Sequence, residues 1–253
     1  MPRYRCVIFD CDSTLSTIEG IEVLAAAHRA EVAALTDAAM RGEIPLEQVY
    51  GRRLDLVRPT RDAVAALGRR YVETLVPDAA QVVGALRAEG IDVRIISGGL
   101  LPAVAALGHA LGIADSAIAA VDVYFDETGA YAGFDRTSVL ARSGGKREQI
   151  EQWGGTLPRP VMLVGDGATD LEARPAVDCF VAFTGVVERP AVVAQADVVL
   201  RGPSLAPVLP LVFDGVPPRT AAARATYEAG IAQLAAHDPR RSPTSPRVGD
   251  IRS

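Results

Sequence analysis

In the string FDCDSTLSTIEG, Phe9 to Gly20, two carboxylates stand two residues apart at the end of the apolar run Cys6 to Phe9. Asp10 and Asp12 beside a hydrophobic strand are costly unless something positive or protonated lies between them. Three more short strings hold suitable partners: Ser97-Gly98-Gly99, Lys146 within SGGK, and Gly165-Asp166-Gly167-Ala168-Thr169-Asp170. Asp10, Asp12, Asp166 and Asp170 form an oxygen-only donor set without His or Cys, which suits a hard cation such as Mg²⁺ rather than zinc. Ser97, the N–H groups of the glycines beside it and Lys146 offer donors and positive charge, the equipment for holding a phosphoryl group. With a phosphate held there, an Asp at a strand end can attack phosphorus in line and form an aspartyl-phosphate. Asp10 is the expected nucleophile. Asp12 is placed to protonate the departing alcohol and then to activate the hydrolytic water, which needs one carboxyl near its neutral form while the other stays ionised.

These strings must converge in space, and the surrounding pattern says how. Short β-rich runs at 6–10, 92–99, 161–167, 179–183 and 197–200 lack in/out alternation, and segments with helical spacing at 78–90, 100–112 and 146–153 lie between them. That alternation predicts an α/β fold with a doubly wound, Rossmann-like parallel sheet covered on both faces, whose strand ends open on one edge. Two pieces stand outside it. Residues 18–75 hold three or four amphipathic helical segments and no convincing strand, the pattern of a helical insertion after the first strand that acts as a lid. AVDVYFDETGAYAGFD, 120–135, reads as a small β-hairpin around DETG. Beyond Asp214 a helix is possible at 219–236, and HDPRRSPTSPRVGDIRS is expected to be disordered.

Composition narrows the classes of function. A net charge of −5 and the absence of a Lys/Arg-rich run speak against an electrostatic grip on nucleic acid or on a membrane surface. Cys6, Cys11 and Cys179 are odd in number and widely separated, which suits buried free thiols in a reducing compartment. The first apolar stretch is cut short by Asp10, too soon for a signal-peptide core, so a cytoplasmic location is expected.

DxDST, SGG, a downstream Lys and GDGATD, in this order, resemble the haloacid dehalogenase superfamily. The fuller strings EGIEVLA, AMRG, GRRL, AYAGFD, SGGK and GDGATDLEA are similar to those members that hydrolyse O-phospho-L-serine, and the likeness spans roughly residues 4 to 212. The resemblance implies a Mg²⁺-dependent phosphatase that releases L-serine and phosphate at the end of serine biosynthesis, acting on a small phosphate ester as a monomer or homodimer. Residues 1–15 and 77–214 would form the phosphatase core and 16–76 the helical cap; 215–253, which has no counterpart in the resemblance, is read from its composition as a C-terminal extension, partly disordered. Position by position, it makes Asp10 the nucleophile and Asp12 the acid/base. Asp10, the Asp12 main-chain carbonyl and Asp166 become metal ligands, and Asp170 supports the metal's outer shell. Ser97, Gly98, Gly99 and Lys146 match phosphate-holding positions, and Thr169 a further substrate contact. In the cap, Arg53 would grip a substrate carboxylate through two parallel hydrogen bonds, Glu19 would pair with its ammonium group, and Met40 would line the pocket.

Plainer explanations exist for each piece. DxDST and GDGATD each read alone as a capped helix start or an Asp-Gly turn, SGG as a turn, and Lys146 as a surface lysine. Glu19 suits a helix's first turn, Arg53 a solvated face and Met40 a cap interior. Their joint order favours chemistry. Two other functions stay open: a related phosphomonoesterase or phosphotransferase of the same superfamily, and a phosphoserine-binding protein without catalysis.

Overall fold

Strand β1 (Cys6–Phe9) buries all four of its side chains, as a strand covered on both faces must. The structure, a computed structural model, describes residues 2–40 and 46–237. β1 sits inside a six-stranded sheet between β2 (Asp92–Leu100) and β6 (Val161–Gly165). β3 (Ile118–Val121) lies outside β2, and β7 (Cys179–Phe183) then β8 (Val198–Leu200) lie outside β6. Every pairing is parallel, as expected. From β1 the chain winds first toward β3 and then toward β8. The winding therefore reverses beside β1, and the crevice at such a point is where ligands bind in this class of sheet.

The segment 120–135 differs from the single hairpin expected. Ile118–Val121 joins the main sheet, Asp122 intervenes, and only β4 (Val123–Phe125) and β5 (Tyr131–Phe134) pair antiparallel. The two alanines of IAAV and the single residue that parts it from VYF hide this strand boundary in the sequence.

Between β1 and β2 come α1 (Gly20–Leu24), α2 (Arg29–Met40), α3 (Leu46–Val57) and α4 (Arg61–Glu73). The chain enters and leaves this insertion side by side. Ser16 and Leu75 form an isolated bridge, the Thr17 amide donates to the Thr74 carbonyl at 2.9 Å, and the Val76 amide to the Leu15 carbonyl at 2.9 Å. α4 begins at a Thr60 cap that accepts from the Ala63 amide, and it buries the stripe Val64, Leu67, Gly68 and Tyr71. That stripe packs along α6 (Leu101–Ala110).

α5 (Ala79–Ala88) precedes β2, and α7 (Gly145–Trp153), α8 (Ala168–Ala173), α9 (Pro190–Val193) and α10 (Val208–Phe213) follow in turn. α11 (Ala221–Ala236) falls within the helix considered possible at 219–236 and packs on α10 and α5, with Tyr227 edge-on to Phe213. The expected disorder beyond it falls on 238–253, outside the described residues. No helix among the described residues is long and apolar enough to cross a membrane.

Candidate active site

The ends of β1, β2 and β6 bring the acidic strings together. Asp10 follows β1 directly, its amide still donating to the Val164 carbonyl of β6 at 2.9 Å. The chain then turns sharply, with Ser13 at φ 53°, a left-handed conformation that a non-glycine residue adopts only under constraint. Asp166 lies one residue past β6. Gly165 is required there, because a Cβ would fall 2.2 Å from Asp170 Cγ and push that carboxylate out of the site. Lys146 enters from the first turn of α7, whose start at Gly145 lies so close to the Val139 carbonyl that a Cβ would be 1.8 Å away.

Asp10, Asp166, Asp170, Lys146 and Ser97 are all buried. Lys146 Nζ lies 2.8 Å from Asp10 Oδ1 and donates to Asp170 Oδ1 at 2.7 Å. Asp170 Oδ2 accepts from the Gly167 amide at 3.0 Å. Thr14 donates its hydroxyl to Asp166 Oδ1 at 3.1 Å, and the Arg189 guanidinium pairs with Asp166 Oδ2. The same guanidinium lies 3.5 Å from Glu19 Oε1, which also accepts from the Ser13 hydroxyl at 2.6 Å.

Asp12 is turned differently. Its Oδ1 accepts from the Gly20 amide at 2.7 Å and from the Tyr71 hydroxyl at 2.6 Å, while Oδ2 lies 3.4 Å from Ser97 Oγ. The Ser97 hydroxyl in turn accepts from the Gly99 amide at 2.9 Å.

Burial sets the protonation chemistry. It pushes the Asp10 carboxyl well above its ordinary value, the nearby Asp170 charge adds to the shift, and Lys146 opposes it. For Lys146 burial works toward neutrality, but Asp10 and Asp170 outweigh it and hold the ammonium above the usual lysine range. Burial lifts Asp12 to about 6, against the lowering effect of the Tyr71 hydrogen bond; the Glu19 charge adds to the rise and the Gly20 amide opposes it. A carboxyl poised near 6 can both give and take a proton near neutrality. Cys11, buried between the two acids, is pushed up by burial and by both their charges, so it stays a thiol.

Asp10, Asp12, Lys146 and Asp166 line one cavity of about 360 Å³. Gly98, Gly99 and Thr169 line it from the core, and Glu19 and Arg53 from the insertion. Ser97 lies beneath it. Asp170 stands behind Lys146, and Met40 ends α2 with a side chain outside the described part. Carboxylate oxygens of Asp10, Asp166 and Asp170 lie within 4.8 Å of one another, close enough to share a divalent cation. The oxygen-only chemistry of this set fits a hard ion. The Asp12 side chain is not in the group, whereas Asp170, expected one layer out, is.

Sequence reasoning did not single out Thr14, Tyr71 or Arg189. Arg189 follows β7, whose end opens on the same sheet edge as Asp10 and Asp166, and that position was the available signal. Tyr71 offered none, because its spacing from Val64 and Leu67 is that of any buried helix stripe.

A family model described as haloacid dehalogenase-like hydrolase matches residues 4–178. The chain is 39% identical over 199 residues to the chloroplastic phosphoserine phosphatase of Arabidopsis thaliana, covering 76% of this chain and 67% of that one. It is 36% identical over 186 residues to the phosphoserine phosphatase of Homo sapiens, covering 72% and 83%. Among solved structures, a phosphoserine phosphohydrolase-like protein from Francisella tularensis superposes with a TM-score of 0.69 at 25% identity, over 78% of this chain and 95% of that one. A phospho-aspartyl intermediate analogue of phosphoserine phosphatase gives 0.66 at 24% identity, over 83% and 99%, a likeness of fold.

Proposed function

The chain belongs to the haloacid dehalogenase-like hydrolase family, and from that membership we propose that it hydrolyses O-phospho-L-serine to L-serine and phosphate through a phosphorylated Asp10. The observation that carries the reading is the buried Asp10–Lys146–Asp170 array on a shared cavity wall with Asp12 and Asp166. A phosphate-binding protein has no use for a carboxylate buried beside a lysine and facing the ligand.

Asp10 attacks phosphorus, forming an acyl-phosphate bond as the bond from phosphorus to the serine oxygen breaks. Asp12 gives its proton to that oxygen. Once serine leaves, the Asp12 carboxylate takes a proton from the water that attacks phosphorus, which releases phosphate and restores Asp10. Lys146 and Ser97, with Gly98 and Gly99, hold the phosphoryl oxygens. Asp10, Asp166 and Asp170 would hold Mg²⁺, with the Asp12 main-chain carbonyl as the further ligand that the resemblance implies. When bound, the ion supplies positive charge against the phosphate oxygens. Arg189, paired with Asp166 Oδ2, would compete with the cation for that carboxylate. Glu19 and Arg53 face the same cavity from the insertion and suit the ammonium and carboxylate of the substrate, with Thr169 a contact from the core.

The division into a core of 1–15 and 77–214 and a cap of 16–76 is supported by the paired entry and exit at Ser16 and Leu75. Three buried free cysteines favour a reducing compartment such as the cytoplasm. The test is phosphate release from O-phospho-L-serine against O-phosphothreonine and sugar phosphates, with Mg²⁺, with a chelator, and with an added alcohol acceptor. Release that is selective for phosphoserine, lost on chelation and lost in Asp10→Asn supports the reading. Release that survives Asp10→Asn, or transfer to the alcohol in place of water, refutes it.

A further inference from the structure

We propose that Tyr71 is a positioning residue for proton transfer: its hydroxyl fixes Oδ1 of Asp12 so that only Oδ2 faces the cavity and exchanges the proton. The inference rests on the reading above, in which Asp12 serves as acid and base.

Asp12 Oδ1 receives two donors, Tyr71 at 2.6 Å and the Gly20 amide at 2.7 Å. Two strong hydrogen bonds on one carboxylate oxygen fix the rotation of the group and leave its other oxygen to the cavity, where Ser97 Oγ lies 3.4 Å away. Without Tyr71, Oδ1 keeps a single donor and only the long 3.4 Å contact from the Ser97 hydroxyl holds Oδ2, so the carboxylate can turn about its Cβ–Cγ bond and both oxygens share the inward position. The Tyr71 ring is completely buried on the apolar stripe of α4, beside Val64 and Leu67. A Phe would fill that space without burying a hydroxyl, so the hydroxyl's local purpose is its acceptor.

The helix that carries Tyr71 is fixed to the core. A Cβ at Gly68, one turn earlier, would meet Ala106 Cβ of α6 at 2.8 Å, so α4 lies as close to α6 as a glycine allows. The donor therefore keeps its place relative to β1 whatever α1 to α3 do. Gly20 is fitted to the same contact, since a Cβ there would fall 2.0 Å from the Tyr71 hydroxyl.

Tyr71→Phe tests the inference through kcat and KM for O-phospho-L-serine, beside p-nitrophenyl phosphate, whose leaving group departs without a proton. The expected result is a fall in kcat/KM for phosphoserine of about 10-fold to 100-fold with KM within about twofold, and a fall in kcat/KM of less than about threefold for the aryl ester, because kcat/KM ends at departure of the leaving group and leaves out the water step that also uses Asp12. Where the wild-type chain does not turn over the aryl ester, the separation of kcat from KM decides. An unchanged kcat for phosphoserine, a rise in KM that accounts for the loss, or equal losses of kcat/KM on both esters overturns the proposal. If the Phe variant does not fold, Gly20→Ala, which displaces the hydroxyl while keeping the amide donor, is read by the same criteria. A wild-type chain inactive on phosphoserine refutes instead the function on which the proposal rests.

Discussion

Replacing Lys146 by Met removes the one positive charge between two buried carboxylates while keeping most of the side chain's volume. Nζ stands 2.8 Å from Asp10 Oδ1 and 2.7 Å from Asp170 Oδ1, and neither acid is more than 9% exposed. With an effective dielectric constant of about 20, each contact is worth about 6 kcal/mol of attraction before desolvation. The full sum is not lost, because the pocket can replace the missing charge by binding one more proton. Charging that proton to a carboxyl with an ordinary pKa of about 3.9 costs about 4 kcal/mol near pH 7 and about 1.5 kcal/mol near pH 5. The destabilisation should therefore be about 4 kcal/mol at the higher pH, in line with other broken buried pairs, and shrink to about 1.5 kcal/mol at the lower. Urea unfolding of wild type and variant in the presence of a chelator, at both pH values, measures this. A loss under about 1 kcal/mol near pH 7, or the same loss at both, would refute the reasoning that a buried charge balance holds the site together.

The Asp12 carboxyl, lifted chiefly by burial to about 6 from an ordinary 3.8, binds its proton more tightly folded than unfolded. Its contribution opposes folding above about pH 6 and vanishes below about pH 4, so the stability advantage of Asp12→Asn in chelator should grow as pH rises between them. A flat difference in unfolding free energy across that window contradicts the shift. Gly165→Ala should weaken divalent-cation binding by more than about tenfold, since its methyl would lie 2.2 Å from Asp170 Cγ; calorimetric titration checks it, and unchanged affinity counts against Asp170 as part of the site. Arg189→Gln removes a half-exposed cation from Asp166 and should tighten cation binding by up to about fivefold while lowering the metal-free melting temperature; weaker binding in the same titration would exclude competition.

Much of this was legible because a parallel sheet writes its strands as plain apolar runs and gathers their ends on one edge. CVIF, VMLVG and CFVAF name their own burial, and the acids that follow the first two are where the site had to be. β3 was hidden because Ile118–Val121 carries two alanines and the single residue Asp122 parts it from the hairpin; pairing with β2 is what sets it apart. The partners of the site residues were harder to foresee for a physical reason. Asp166 reveals itself by following a strand, but its contacts with Thr14 and Arg189 join residues 152 and 23 positions away in the chain. Arg189, between Glu188 and Pro190, has the local look of a solvated loop. Tyr71 has the pattern of core and is core; what its ring leaves unsaid is the hydroxyl's acceptor, set by how closely α4 meets the loop after β1.

The narrow neck at Ser16 and Leu75 makes the insertion separable in principle from the sheet that carries the reactive acids. An excursion that departs and returns through neighbouring residues can be exchanged for one of another length or shape without altering any strand register, so selectivity can diverge while the chemistry stays put. Any replacement must cover α6 as the stripe of α4 does. Any substitute segment must also return a hydrogen-bond donor to Asp12, or the new enzyme inherits a loosely aimed acid.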